Sequence, residues 1–205
     1  VLTVCGKSIK VLGTDGVTDF TVRADGTAGT SSIVIATTSK TFPAKTVTFY
    51  AKAAKTLTAA ANKGVIGTAG DTDVIRVAAV DAAGNNWGGT AYIVASTAAD
   101  ALIAGSSTPV ACTYTAAYAA NLCPVTGIAT GTAKFKVIDA STVALATATS
   151  NEVSVRVTTA SASSVKLSFD KATYAPGERA VIWASVLDAD GLPVAAAAIT
   201  NLWAA

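Results

Sequence analysis

Asp71-Thr-Asp-Val-Ile-Arg-Val-Ala-Ala-Val-Asp81-Ala-Ala-Gly84 is matched 107 residues on by Glu178-Arg-Ala-Val-Ile-Trp-Ala-Ser-Val-Leu-Asp188-Ala-Asp-Gly191. Each stretch is an alternating strand that closes in an Asp-x-x-Gly turn. A second anchor repeats at 102 residues: Ala28-Gly-Thr30-Ser-Ser-Ile33-Val-Ile35 against Thr130-Gly131-Thr132-Ala-Lys-Phe135-Lys-Val137. A second strand follows each copy, Lys45-Thr-Val-Thr-Phe-Tyr50 and Glu152-Val-Ser-Val-Arg-Val157. A third follows those, Lys55-Thr-Leu-Thr58 and Val165-Lys-Leu-Ser168. Three anchors at a spacing near the ~100 residues of an immunoglobulin-type sandwich predict tandem all-β, antiparallel immunoglobulin-like units.

Outward positions of these strands hold Lys, Arg, Thr and Ser, as half-buried antiparallel sheets require. Gly, Asn and Pro mark the turns, at Asp15-Gly16, Asp25-Gly26, Gly84-Asn85-Asn86, Pro176-Gly177 and Asp190-Gly191. A short helix is expected around Tyr114–Leu122, where large side chains recur every four residues. The repeat phasing divides the chain into the last strands of one unit (1–42), a complete unit (43–159), a small-residue linker (160–164) and the first strands of a further unit (165–205). Two explanations compete for the partial ends. One is a window cut from a longer tandem array, which needs nothing new. The other is an exchange in which one molecule's C-terminal half-unit is completed by the next molecule's N-terminal half-unit. Residue 1 is Val and no Met occurs, so the chain is read as a processed product or a piece of something longer.

Composition narrows the chemistry. The 205 residues carry 15 Lys+Arg against 13 Asp+Glu, a net charge of +2, and 51% are hydrophobic. That balance gives no nucleic-acid footprint. The chain has no His, so imidazole bases, Ser-His-Asp devices and His-ligated zinc are excluded. Ser and Thr abound with no base placed to activate them, and no enzyme is expected. The uncharged stretch from Ala101 to Ala133 is broken by Pro109, Pro124 and several Gly, so it is not a membrane span.

Three cysteines remain. Cys112 and Cys123 stand eleven residues apart, with no further ligands for zinc. The preferred reading is a disulfide and an oxidising compartment, worth ~2–3 kcal/mol for so short a loop. The alternative is two buried thiols. Cys5 is left with a partner upstream, a partner on a neighbouring molecule, or none.

The run Lys171-Ala-Thr-Tyr-Ala-Pro-Gly-Glu-Arg-Ala-Val-Ile-Trp-Ala-Ser-Val-Leu-Asp-Ala-Asp-Gly-Leu-Pro-Val194 resembles the opening of bacterial immunoglobulin-like repeats. Their pattern is Tyr-x-Pro-Gly-Glu, an alternating strand, then Asp-x-x-Gly-x-Pro-Val. The stretches Val77–Asn85 and Gly131–Val137 are similar to matching strands of that family, and the Ala/Thr/Val texture resembles repeats of surface-layer proteins and large adhesins. The 43–159 unit departs from the pattern. It lacks Pro-Gly-Glu and has Asn85-Asn86-Trp87 where Pro-Val is expected. The resemblance implies a secreted, prokaryotic cell-surface protein that serves in structure, adhesion or spacing and has no catalytic residues.

Two binding chemistries are weighed against plain structural roles. Calcium is the candidate ion, with Asp71, Asp73, Asp81, Asp139, Asp188 and Asp190 at or near strand ends; the alternative is turn-capping Asp. Trp87, in a Gly-Asn loop, is the candidate contact residue for a glycan or protein, against packing at a domain junction. Trp183 alternates with Val181 and is expected to face a core or a seam; Trp203 is the third tryptophan. The expected function is a subunit or segment of a surface layer or extracellular filament whose partner is itself, with cell wall or glycan as further partners. The alternatives are an adhesin stalk or ligand-binding module, and a phage virion decoration domain.

Overall fold

The structure, a computed structural model, describes residues 27–36 and 39–195 together with the backbone pairing of Leu2–Thr3 and Val22–Arg23. Cys5, Trp203 and the turns at Asp15-Gly16 and Asp25-Gly26 lie outside the described residues.

Strands β1 (Leu2–Thr3) and β2 (Val22–Arg23) pair in parallel. β3 (Gly29–Ile33) and β4 (Lys45–Phe49) form an antiparallel hairpin. The 42/43 division falls within the turn of that hairpin. Nine strands then build a sandwich. They are β5 (Thr56–Ala61), β6 (Val65–Ile66), β7 (Gly70–Val80), β8 (Tyr92–Ala95), β9 (Val110–Ala111), β10 (Thr113–Thr115), β11 (Ala120–Thr126), β12 (Gly131–Ile138) and β13 (Val153–Val157). A helix, α1 (Ala98–Ala104), joins β8 to β9. A last hairpin joins β14 (Ser164–Phe169) to β15 (Ile182–Leu187).

The strand order identifies the sandwich. One sheet runs β10-β11-β7-β5 and the other β6-β13-β12-β8-β9. In chain order these are the D-E-B-A and A′-G-F-C-C′ arrangements of an immunoglobulin fold. β6 pairs in parallel with β13 (Val157↔Ile66), because the first strand switches sheets between Asn62 and Gly64. The protein is therefore all-β, with immunoglobulin-like topology in its central unit.

Period-2 patterning explains which face is inside. Ala133, Phe135 and Val137 of β12 are buried, while Lys134 and Lys136 between them are exposed. Val153, Val155 and Val157 of β13 face the same core. Leu57, Ala59, Ile75, Val77 and Val125 close it from the opposite sheet. Phe135 is its largest fully buried side chain. β7 carries one irregularity: its register with β11 shifts between Cys123 and Val125, opposite a segment in which Asp73 adopts φ 58°. Asp tolerates that left-handed conformation better than most side chains, and such a bulge re-aims a strand.

The segment expected as a helix around Tyr114–Leu122 is instead β10, a single 3₁₀ turn at Ala116–Tyr118, and β11. Thr113 pairs with Leu122 and Tyr114 with Asn121, so the ends of the supposed helix face each other across a hairpin. Ala119 at φ 47° turns the chain back. The helix that does form, α1, opens at Thr97. Its hydroxyl accepts the Asp100 N–H at 3.2 Å and donates to the Asp100 carboxylate at 2.5 Å. The other Asp100 oxygen accepts the Lys134 N–H at 2.9 Å, which ties the helix to β12. The Thr97 hydroxyl is the main reason the Asp100 carboxyl titrates below its ordinary range.

Candidate functional site

The two Asp-x-x-Gly turns form the same network. In each, one carboxylate oxygen accepts two backbone N–H groups of the turn. Asp81 Oδ1 accepts from Ala83 and Asn85 at 2.9 Å each. Asp188 Oδ1 accepts from Asp190 at 3.0 Å and Leu192 at 2.9 Å. Gly84 and Gly191 donate to the carbonyls of Asp81 and Asp188 at 3.1 Å, with φ of 81° and 74°. That conformation explains the fixed glycine of the motif. Both aspartates are buried.

The second oxygen of each carboxylate reaches outside its own turn. Asp81 Oδ2 accepts the N–H of Ala51, just beyond β4, at 2.9 Å, and the Asn85 side-chain amide at 3.2 Å. Asp188 Oδ2 accepts from Arg156 of β13 at 2.8 Å, and Arg156 also donates to the Pro193 carbonyl at 2.6 Å. At both places the turn of one strand pair is clipped to the end of the strand pair that precedes it. The Ala51 N–H is the leading cause that holds the Asp81 carboxyl below its usual range, and the Arg156 guanidinium does the same for Asp188.

Trp87 completes the first junction. It is only 3% exposed. Its ring meets Tyr50 edge-on at 6.5 Å, and its indole N–H donates to the Lys52 carbonyl at 3.3 Å. Residue 89 is glycine for lack of room, since a Cβ there would stand 2.2 Å from the Trp87 ring. Trp183 is 60% exposed on β15, on the face away from Val165, Leu167 and Phe169.

The remaining aspartates are spread along the strands. Asp71 pairs with Lys63 at 2.6 Å. The Asp73 carbonyl at the bulge accepts from the Asn62 side chain. Asp139 accepts from the hydroxyl and N–H of Thr147 and the N–H of Ala148. Asp190 is exposed. Among the described residues, no group of three or more His, Cys, Asp or Glu side chains is placed to hold a metal ion. N–H donors already occupy the Asp81 and Asp188 oxygens that a calcium ion would need.

Cys112 and Cys123 form a disulfide. Cys112 lies between β9 of one sheet and β10 of the other, so the bond pins the crossing chain to β11. The Tyr-x-Pro-Gly-Glu segment shapes the β14–β15 turn. Glu178 accepts the Ala175 N–H at 3.0 Å and pairs with Lys171, and Tyr174 donates to Asp170 at 2.5 Å. Sequence reading missed Arg156 as a partner of the motif Asp. An arginine at an outward strand position carries no signal of which turn it will meet.

No protein-family model and no curated protein matches the chain. Solved structures do. The S-layer protein rSbsC(31-844) is 16% identical over 85% of this chain, with a TM-score of 0.41. Domains 4 and 5 of the S-layer protein SbsC are 16% identical over 63%, at 0.33. FdeC, an Escherichia coli adhesin, is 19% identical over 82%, at 0.40. The chain spans 21%, 58% and 53% of those chains respectively. Likenesses this distant carry no argument of their own, and the immunoglobulin-like fold rests on the strand order described above.

Proposed function

We propose that this chain is a segment of a secreted prokaryotic cell-surface structural protein, part of a surface layer or extracellular filament assembled through contacts between immunoglobulin-like units. The observation that carries the reading is the repeated clip, in which Asp81 takes Ala51 and Asp188 takes Arg156. Successive units are joined by the same turn, which takes a backbone N–H at the first joint and an arginine at the second. The joints then lie after β4 and after β13, so that 1–50, 54–159 and 163–205 belong to successive units. The disulfide suits an oxidising exterior. The net charge of +2 keeps self-repulsion small in a dense array.

The rival reading is an adhesin stalk bearing a ligand site. The rival used Trp87 as its contact residue, and that ring is buried against Tyr50. Sedimentation velocity across a hundredfold range of concentration tests the proposal. Assembly predicts species that grow with concentration. A single slow, elongated species at every concentration would favour the stalk.

A further inference from the structure

The two joints use the same turn but are held by different chemistry. The hairpin registers set the correspondence between them. Gly29↔Phe49 and Thr30↔Thr48 in β3–β4 match Gly131↔Val157 and Thr132↔Arg156 in β12–β13. Thr48 therefore stands where the second joint has Arg156, and Tyr50 where it has Thr158. On the turns, Trp87 and Val194 each lie six residues after the motif Asp. Each donates its N–H back to its own strand, Trp87 to the Ala79 carbonyl at 2.9 Å and Val194 to that of Val186 at 3.2 Å.

The first joint is packed. The Trp87 ring meets Tyr50 edge-on at 6.5 Å and its indole N–H holds the Lys52 carbonyl at 3.3 Å. The Asp81 bond to the Ala51 N–H adds to this at 2.9 Å. A ring seated on a ring resists rotation, because turning it would open apolar surface to water. The second joint has no such rings. Val194 replaces Trp87, Thr158 replaces Tyr50, and the connection Thr159-Ala-Ser-Ala162 carries only small side chains. Arg156 takes over. Its Nη2 pairs with Asp188 at 2.8 Å and its Nη1 donates to the Pro193 carbonyl at 2.6 Å. Among the described residues, no other hydrogen bond crosses this joint.

We propose that the second joint is a hinge latched by Arg156, while the first joint is fixed. A planar guanidinium forked onto a carboxylate and a carbonyl of one turn sets orientation as well as distance. The anchor on the other side is rigid. Asp188 is only 3% exposed, and its second oxygen already accepts the Asp190 and Leu192 N–H groups. With the latch open, the short connection 159–162 no longer sets the orientation of the turn against β13, and the two units turn about it. A tandem array built this way bends at one kind of joint and stays straight at the other. The inference rests on the division into successive units proposed above and not on their assembly, because the latch lies within one molecule.

The test places spin-label pairs across each joint of the full chain carrying Cys5→Ser. Thr46→Cys with Thr58→Cys spans the first joint, and Thr58→Cys with Lys166→Cys spans the second; all three are exposed strand positions. Labelled chain is diluted into unlabelled chain, so that dipolar spectroscopy reads distances within one molecule. With Arg156 intact, each pair should give one narrow distance distribution. Arg156→Ala should roughly double the width across the second joint, while the first-joint pair and the melt of the central sandwich stay as before. Asp188→Asn, whose side-chain oxygen still accepts the two turn N–H groups, should broaden the same pair. Arg156→Lys, a point charge without the fork, should fall between. A second-joint distribution that stays narrow in both Arg156→Ala and Asp188→Asn would overturn the proposal, because other contacts would then set the orientation. A second-joint pair already broad with Arg156 intact, or a first-joint pair equally broad, would overturn it too. Sedimentation of the same chains reports assembly separately: monomers with a latched second joint would sink the assembly reading and keep the hinge.

Discussion

Reducing the Cys112–Cys123 bond should lower the stability of the central sandwich by about 2.8 kcal/mol. The bond closes a loop with a sequence separation of 11. Loop-closure entropy for that length, −2.1 − 1.5R ln n, gives roughly 9 cal/mol/K, hence that figure at 25 °C. For a cooperative unit of this size the loss corresponds to a drop in Tm of roughly 10–20 °C. The assay is a calorimetric melt of Cys5→Ser protein with and without a phosphine reductant. Reduction is preferable to a Cys112→Ala/Cys123→Ala variant because the thiols keep filling the space around Cys123, which is fully buried. The structure gives a reason to expect the full effect. Cys112 sits where the chain passes from β9 in one sheet to β10 in the other, and the bond ties that crossing to β11. A shift below about 3 °C would refute the reasoning, because it would mean the crossing is held equally well without the bond.

Two further outcomes follow from the packing and the caps. Gly127→Ala should destabilise the sandwich by ~1–3 kcal/mol, since its Cβ would lie 2.2 Å from the Gly67 carbonyl oxygen, whereas Gly64→Ala, with open space around it, should be near neutral in a melt. Stability should hold above the unfolded Asp value of 3.8 and fall as pH drops through the lower folded values of Asp81, Asp100 and Asp188. Their carboxyls are depressed in the folded state, so the unfolded chain takes up protons first. Asp81→Asn should flatten part of that acid limb in melts recorded from neutral pH down to pH 3, and an unchanged limb would contradict the cap.

The sequence made the strands legible because one face of each is buried and the other wet, so Phe135-Lys-Val137 and Val153-Ser-Val155 announce their own orientation. The Asp-x-x-Gly turns were legible because Gly84 and Gly191 need positive φ. Other features depend on contacts between distant residues. The Ala51 and Arg156 partners of the two aspartates lie 30 and 32 residues from them, and no local pattern marks them. Trp87 looked exposed in a Gly-Asn loop, but the ring folds over Gly89 onto Tyr50. Helix α1 carried a signal that was readable: Thr97 and Asp100 at capping-box spacing, with Gly105 after the last turn. The fourfold recurrence of Tyr114, Tyr118 and Leu122 outcompeted it and was misleading. Aromatic side chains on a hairpin also recur at short intervals, and the ring of Tyr118 lies against Arg76 of β7 at 5.1 Å.

Negative-stain electron micrographs of the purified chain test the central claim most directly. Units clipped end to end through Asp81 and Asp188, and joined between copies, predict filaments or sheets with one regular repeat. A field of dispersed single particles at high protein concentration would contradict the account.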